Sequence, residues 1–152
     1  STRVRSSAAS DVYKRQDPDR PAFLSWLFFT SNALHQAALA MFYPHRPAGE
    51  ANTDAARATA HDQIIGRLGL IEAMIAARSP RWLSPDHPGV LGFYIGILVR
   101  WLIMLPPDPY GIRLDDFPHL KAVLAAHEAR PAALRVAEAD GLGPTPFTNP
   151  RV

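Results

Sequence analysis

The chain has 152 residues, of which 47% are hydrophobic, with no cysteine and a formal net charge of +2. That length and apolar content suit one domain with a buried core. The lack of cysteine excludes disulfides, a thiolate nucleophile and a cysteine-type zinc site.

The positive charge sits in the first sixteen residues. Ser6 to Gln16 reads SSAASDVYKRQ, the translation of a transposase-based sequencing adapter, and Ser1 to Arg5 fit the adapter's upstream arrangement. A chance match of that length is negligible. Residues 1–16 are therefore expected to be a non-native, adapter-derived tail, and are set aside as a tag would be. Without them Lys+Arg falls from 16 to 12 and Asp+Glu from 14 to 13, so the net charge changes from +2 to −1. The pI near 9.3 then implies nothing about nucleic acid, and no basic patch with interleaved aromatics remains. On this reading the natural gene is cut upstream and the chain is a fragment starting near Asp17.

The first predicted helix covers about 21–42, with Asp19 as its cap and Pro21 in its first turn. It carries two apolar stripes, Leu24, Leu27, Leu34 and Met41 on one and Phe28, His35, Leu39 and Phe42 on the other. Two stripes mean two packing partners. Pro44 and Pro47 end it. A second helix spans about 53–78, with Thr53 as N-cap. Its Ile64, Leu68, Ile71 and Ile75 follow the four-three-four spacing of a helix–helix seam. Gly66 and Gly69 inside it cost about 1 kcal/mol each against Ala, which predicts close approach of another helix there. Residues 79–88 form a turn-rich connection holding Trp82 and Leu83.

Gly89 to Leu105 is seventeen residues with one charge, Arg100. A membrane span needs about 20 apolar residues, and a central Arg costs roughly 2.5–3.5 kcal/mol. The segment reads instead as the central helix of a bundle, apolar all round. A fourth helix follows Asp115 and Asp116, whose charges suit a helix start, and has Pro118 in its first turn. Leu120, Val123, Leu124 and His127 share one face of it. Pro131 stops this helix and opens a fifth, which ends at Gly141. The proline-rich stretch 143–152 reads as an irregular tail, and Thr145 to Val152 as a frayed terminus rather than a segment folded over a substrate mouth. No stretch alternates in the manner of a strand, so the fold class is all-α, a bundle of about five helices.

Phe117-Pro118-His119-Leu120 running into Ala129-Arg130-Pro131-Ala132 resembles the end of the helical C-terminal domain of glutathione S-transferases. Leu34–Arg46 (LHQAALAMFYPHR) is similar to that domain's first helix in bacterial, beta-class-like members. Leu98–Trp101 (LVRW) is similar to the end of its central helix, and Arg81–Asp86 stands where the family has an aromatic-Leu-x-Gly-Asp loop. The resemblance covers 17–142 and implies a glutathione S-transferase C-terminal-like domain that lacks its N-terminal thioredoxin-like half. It departs from the family at the start of the central helix, where Gly89 and Gly92 replace a Ser/Thr-x-x-Asp capping box. Such a cap is worth about 1 kcal/mol. Asp86 is the alternative cap, which would start the helix at or before Pro88.

By this resemblance the parent enzyme conjugates or reduces small hydrophobic electrophiles with glutathione, is cytoplasmic, and is a homodimer. Thiol activation belongs to the missing half, so no catalytic residue is assigned here and the fragment alone is expected to be inactive. His35 matches a histidine that faces the glutathione site. Leu39, Phe42, Tyr43, Arg100 and Trp101 would form the electrophile wall. Arg100 has a second possible partner in Asp115 or Asp116. The alternative function is a non-catalytic protein-interaction module of the same fold. The remaining histidines show no metal-ligand spacing, and no phosphate loop, nucleophile elbow or dinucleotide fingerprint is present.

If residues 1–16 are adapter-derived, deleting them should leave the thermal midpoint unchanged in a calorimetric scan. A fall of more than a few degrees would show that they belong to the folded protein.

Overall fold

The computed structural model describes residues 17–87 and 89–151. The adapter-like segment and Pro88 lie outside the described residues. The first rod is α1 (Arg20–Phe29), a π-helical turn (Thr30–Leu34) and α2 (His35–Phe42) in unbroken succession. One short turn of helix, α3 (His45–Ala48), leads to the long α4 (Thr53–Arg78). Then come α5 (Val90–Ile103), α6 (Pro118–Glu128) and α7 (Pro131–Ala139). Among the described residues there is no strand, only an isolated bridge between Ser84 and His87. The described residues are all-helical, as expected.

The rod packs along α4 through α2, and α6 packs on both α4 and α5. Ile64, Leu68, Ile71 and Ile75 of α4 are all buried, as their spacing predicts, and so are Leu120, Val123, Leu124 and His127 of α6. Gly141 takes φ +66° just past α7 and ends it in the left-handed region. No helix among the described residues is long and apolar enough to cross a membrane.

The local caps expected from the sequence do not form. Asp19 stands at the N-cap of α1, but its carboxylate pairs with Arg81 at 3.3 Å instead of the helix N–H groups. Thr53 is the first helical residue of α4, not its cap. The central helix begins at Val90 with Gly89 extended before it, so Asp86 does not start it.

What replaces the missing cap on α5 is a side chain from α6. His127 is fully buried. Its Nδ1–H donates to the Val123 carbonyl at 2.8 Å, which leaves Nε2 bare to accept the Gly89 N–H at 3.4 Å. The ring occupies the space a side chain at position 92 would need: a Cβ on Gly92 would lie 2.2 Å from Nε2. The same device serves α6. Glu72 of α4 accepts the backbone N–H groups of His119 (2.9 Å) and Leu120 (2.8 Å), and the His119 imidazole at 2.6 Å. Burial pushes the Glu72 carboxyl up, but these donors outweigh it and hold it below the usual 4.5.

The close-approach glycines are therefore not the expected ones. Cβ atoms added at Gly66 and Gly69 would meet nothing within 4 Å, whereas one added at Gly96 would lie 2.9 Å from the Phe147 ring. That contact docks the tail. Glu128, itself buried, accepts the N–H groups of Phe147 (2.8 Å) and Thr148 (3.0 Å) and the Thr148 hydroxyl. Residues 143–151 are irregular yet held against the bundle rather than frayed. Nor is α5 buried all round. Val90, Ile97 and Trp101 remain exposed, forming with half-buried Tyr94 a stripe along one face.

Two stability predictions follow from these contacts. Gly66→Ala and Gly69→Ala should each raise the free energy of unfolding by about 0.5–1 kcal/mol, from helix propensity alone. Gly92→Ala should lower it by about 1–3 kcal/mol, from overpacking against His127. Urea melts of the three variants decide it.

The second concerns pH. Burial, with help from the charge of Arg130, holds the His127 imidazole below its ordinary 6.5, against the opposing pull of the Val123 carbonyl. The unfolded chain then binds this proton more readily than the folded one. The contribution is complete above about pH 6.5 and is lost as pH falls toward the folded value, at no more than about 1.4 kcal/mol per pH unit. Unfolding measured between pH 7.5 and 5 should show this loss in the wild type and its absence in His127→Gln. Equal pH slopes in the two proteins would refute it.

Candidate functional site

An open cavity of about 480 Å³ lies between the end of the first rod and the C-terminal half of α5. Its wall on the rod side is His35, Ala38, Leu39, Phe42 and Tyr43, which lie on one face of α2 or just past its end. Trp101, Met104 and Leu105 close it from α5 and the residues after it. That volume falls within the range of small-molecule pockets, and the lining is apolar with few polar groups. A larger cavity of about 980 Å³ adjoins it at Met104 and Leu105 but is bounded mainly by loops, including Pro106, Pro107, Gly111 and Asn149.

The π turn sets which side of the rod faces this cavity. A π turn inserts one residue into an α-helix, and one residue is about 100° of rotation. The expected stripe of Phe28 with His35, Leu39 and Phe42 is broken there. Phe28 is 59% exposed, while Leu34 and Met41 stay in the core. The His35 N–H reaches back five residues to the Thr30 carbonyl. Arg67 of α4 donates to the Ala33 carbonyl at 3.1 Å, supplying a partner for a backbone group in the turn. The Thr30 hydroxyl oxygen is buried without a hydrogen-bond partner among the described residues.

His35 and Trp101 share the cavity, with ring centroids 6.3 Å apart. Leu39, Phe42 and Tyr43 line it with them. The Arg46 guanidinium stacks on Tyr43, 4.1 Å from the ring centroid, and brings a positive charge to the rim. Arg100 is not brought to this cavity. Its Nη1 donates to the Pro146 carbonyl at 3.1 Å, so it ties down the tail. The acids weighed as its partners are engaged elsewhere or at the surface: Asp115 pairs with Lys121 at 2.5 Å, and Asp116 is exposed.

Tyr94 went unnoticed in the sequence. Its hydroxyl lies 2.7 Å from His35 Nδ1, and the two rings meet edge to face with centroids 5.8 Å apart. Burial pushes the Tyr94 phenol above its usual 10, so it keeps its proton. A signal was present: Tyr94 is seven residues before Trp101, which puts both on one face of α5.

Chemically the site is an apolar wall with one imidazole set into it, hydrogen-bonded to the Tyr94 phenol. Among the described residues no group of three or more His, Asp or Glu side chains is placed to hold a metal ion. No known protein family, curated protein or solved structure matches the chain.

Proposed function

We propose that this chain is the electrophile-binding, C-terminal helical domain of a glutathione transferase, and that the cavity between α2 and α5 takes the small hydrophobic co-substrate. The observation that carries this reading is the convergence of His35, Leu39, Phe42, Tyr43 and Trp101 on one cavity. These come from two segments, residues 34–46 and 98–101, that resemble the family independently of each other. The exposed apolar stripe of Val90, Ile97 and Trp101 and the exposed Phe28 supply surface for a glutathione-binding, thioredoxin-like partner domain. On this reading the thiol is activated in that partner domain, and this chain contributes binding, orientation and exclusion of water from the apolar end of the substrate. Arg100 has no part in it.

The test uses 1-chloro-2,4-dinitrobenzene, which finds no thiol to attack in a chain without cysteine. At about −0.3 kcal/mol per heavy atom, a ligand of about 13 heavy atoms gains roughly −4 kcal/mol, a Kd of about a millimolar. Titration followed by NMR should shift the Trp101 indole and the His35 ring, and Trp101→Ala should weaken binding by about tenfold. With glutathione added, the chain alone should not raise conjugate formation above the uncatalysed rate. Catalysed conjugation by this chain, or shifts confined to residues away from the cavity, would overturn the assignment.

A further inference from the structure

We infer that Tyr94 is a positioning residue for His35: its hydroxyl holds the imidazole in the tautomer that offers Nε2–H to the cavity, so the site selects hydrophobic ligands that carry one hydrogen-bond acceptor. This rests on the reading of the cavity as a small-molecule site and adds the chemistry by which it chooses.

The argument is one of satisfying donors. Tyr94 Oη and His35 Nδ1 are 2.7 Å apart, so one of them carries the shared proton. If Nδ1 carried it, the phenol proton would need another acceptor, and among the described residues the Tyr94 hydroxyl bonds only to His35. With the phenol donating to Nδ1, both groups are satisfied and the ring proton stands on Nε2. The half-buried phenol keeps its proton, because burial raises it above its ordinary value. Nε2–H then has no protein partner among the described residues, on a side chain that lines the cavity. The neighbours Leu39, Phe42 and Met104 offer it no acceptor. A carbonyl or nitro oxygen, or a thiolate sulfur, meets that N–H; a ligand with none leaves it unpaired at a cost. The tautomer is held from α5 and the ring is carried on α2, so the pair also ties together the two walls of the cavity.

Two measurements test this on the whole chain. Long-range proton–nitrogen NMR at pH 8.5, where free imidazole is neutral, reports the His35 tautomer directly. The wild type should show Nε2–H, and Tyr94→Phe should show a mixture or Nδ1–H, while the amide spectrum of the rest of the bundle stays in place. A wild-type Nδ1–H ring, or an Nε2–H ring indifferent to Tyr94→Phe, would overturn the positioning role. The second measurement compares 2-acetylnaphthalene with 2-isopropylnaphthalene, two ligands of matched shape of which only the first carries an acceptor. The ratio of their affinities should fall by about five- to tenfold in His35→Phe and by a smaller factor in Tyr94→Phe. If both ligands bind and the ratio does not move, the donor role fails while the cavity reading stands. If neither ligand binds, both fail.

Discussion

His127 sits where a side chain at position 92 would otherwise be, fills that space with an aromatic edge, and accepts the N–H of Gly89 at the N-cap of α5. The contact is possible only because position 92 is glycine, with a would-be Cβ 2.2 Å from the ring. Everything that α5 carries depends on it. Trp101 lines the cavity, Tyr94 holds the His35 ring, Gly96 receives Phe147, and Arg100 holds the Pro146 carbonyl, all on a helix whose start is fixed from outside. Glu72 does the same for α6, reaching across from α4 to the N–H groups of His119 and Leu120. A local cap stabilises one helix end. A cap lent by another helix stabilises that end and the packing angle together, so secondary and tertiary structure melt as one event.

The corner between α6 and α7 extends this logic to a loop. Arg130 donates to the Pro85 carbonyl at 3.1 Å and the Asp86 carbonyl at 3.0 Å, so the residue before Pro131 both ends a helix and anchors the connection into α5. Arg81 from that connection pairs with Asp17 at 2.6 Å, at the start of the described chain. Such exposed pairs contribute little individually. Their use here is to hold a turn-rich segment in a single conformation while Trp82 and Leu83 enter the core beside Phe23.

The helices were legible because their information is local. The boundaries of α4 follow from its flanking polar turns, and its seam from the spacing of four isoleucine and leucine residues. The start of α6 and the break at Pro131 follow from the fixed geometry of proline. Long-range choices were not legible. Nothing in the sequence distinguishes Gly66 and Gly69, which face open space, from Gly92 and Gly96, which are pressed by rings arriving from 35 and 51 residues away. The cap on α5 was expected from nearby Asp86 because capping rules concern neighbours, and His127 is 38 positions distant. At the cavity, the members on α2 and Trp101 were named through the resemblance to two known helices. Tyr94 was missed although its seven-residue offset from Trp101 was on view, and Arg100 was misplaced because a basic residue at a helix end fits a tail carbonyl as well as a cleft.

The π turn also sets two pressures on this protein against each other. Excising one residue from Thr30–Leu34 would return the rod to a regular α-helix, with ordinary four-residue hydrogen bonding and no need for Arg67 at the Ala33 carbonyl. Selection for stability alone would favour that shorter rod. It would also turn everything before the turn by about 100° relative to His35, so either the core contacts of Phe23 or the cavity face of α2 would have to be surrendered. The irregular turn is the geometric compromise that lets one continuous rod keep Phe23 in the core before it while α2, after it, shows one face to the core and another to the cavity.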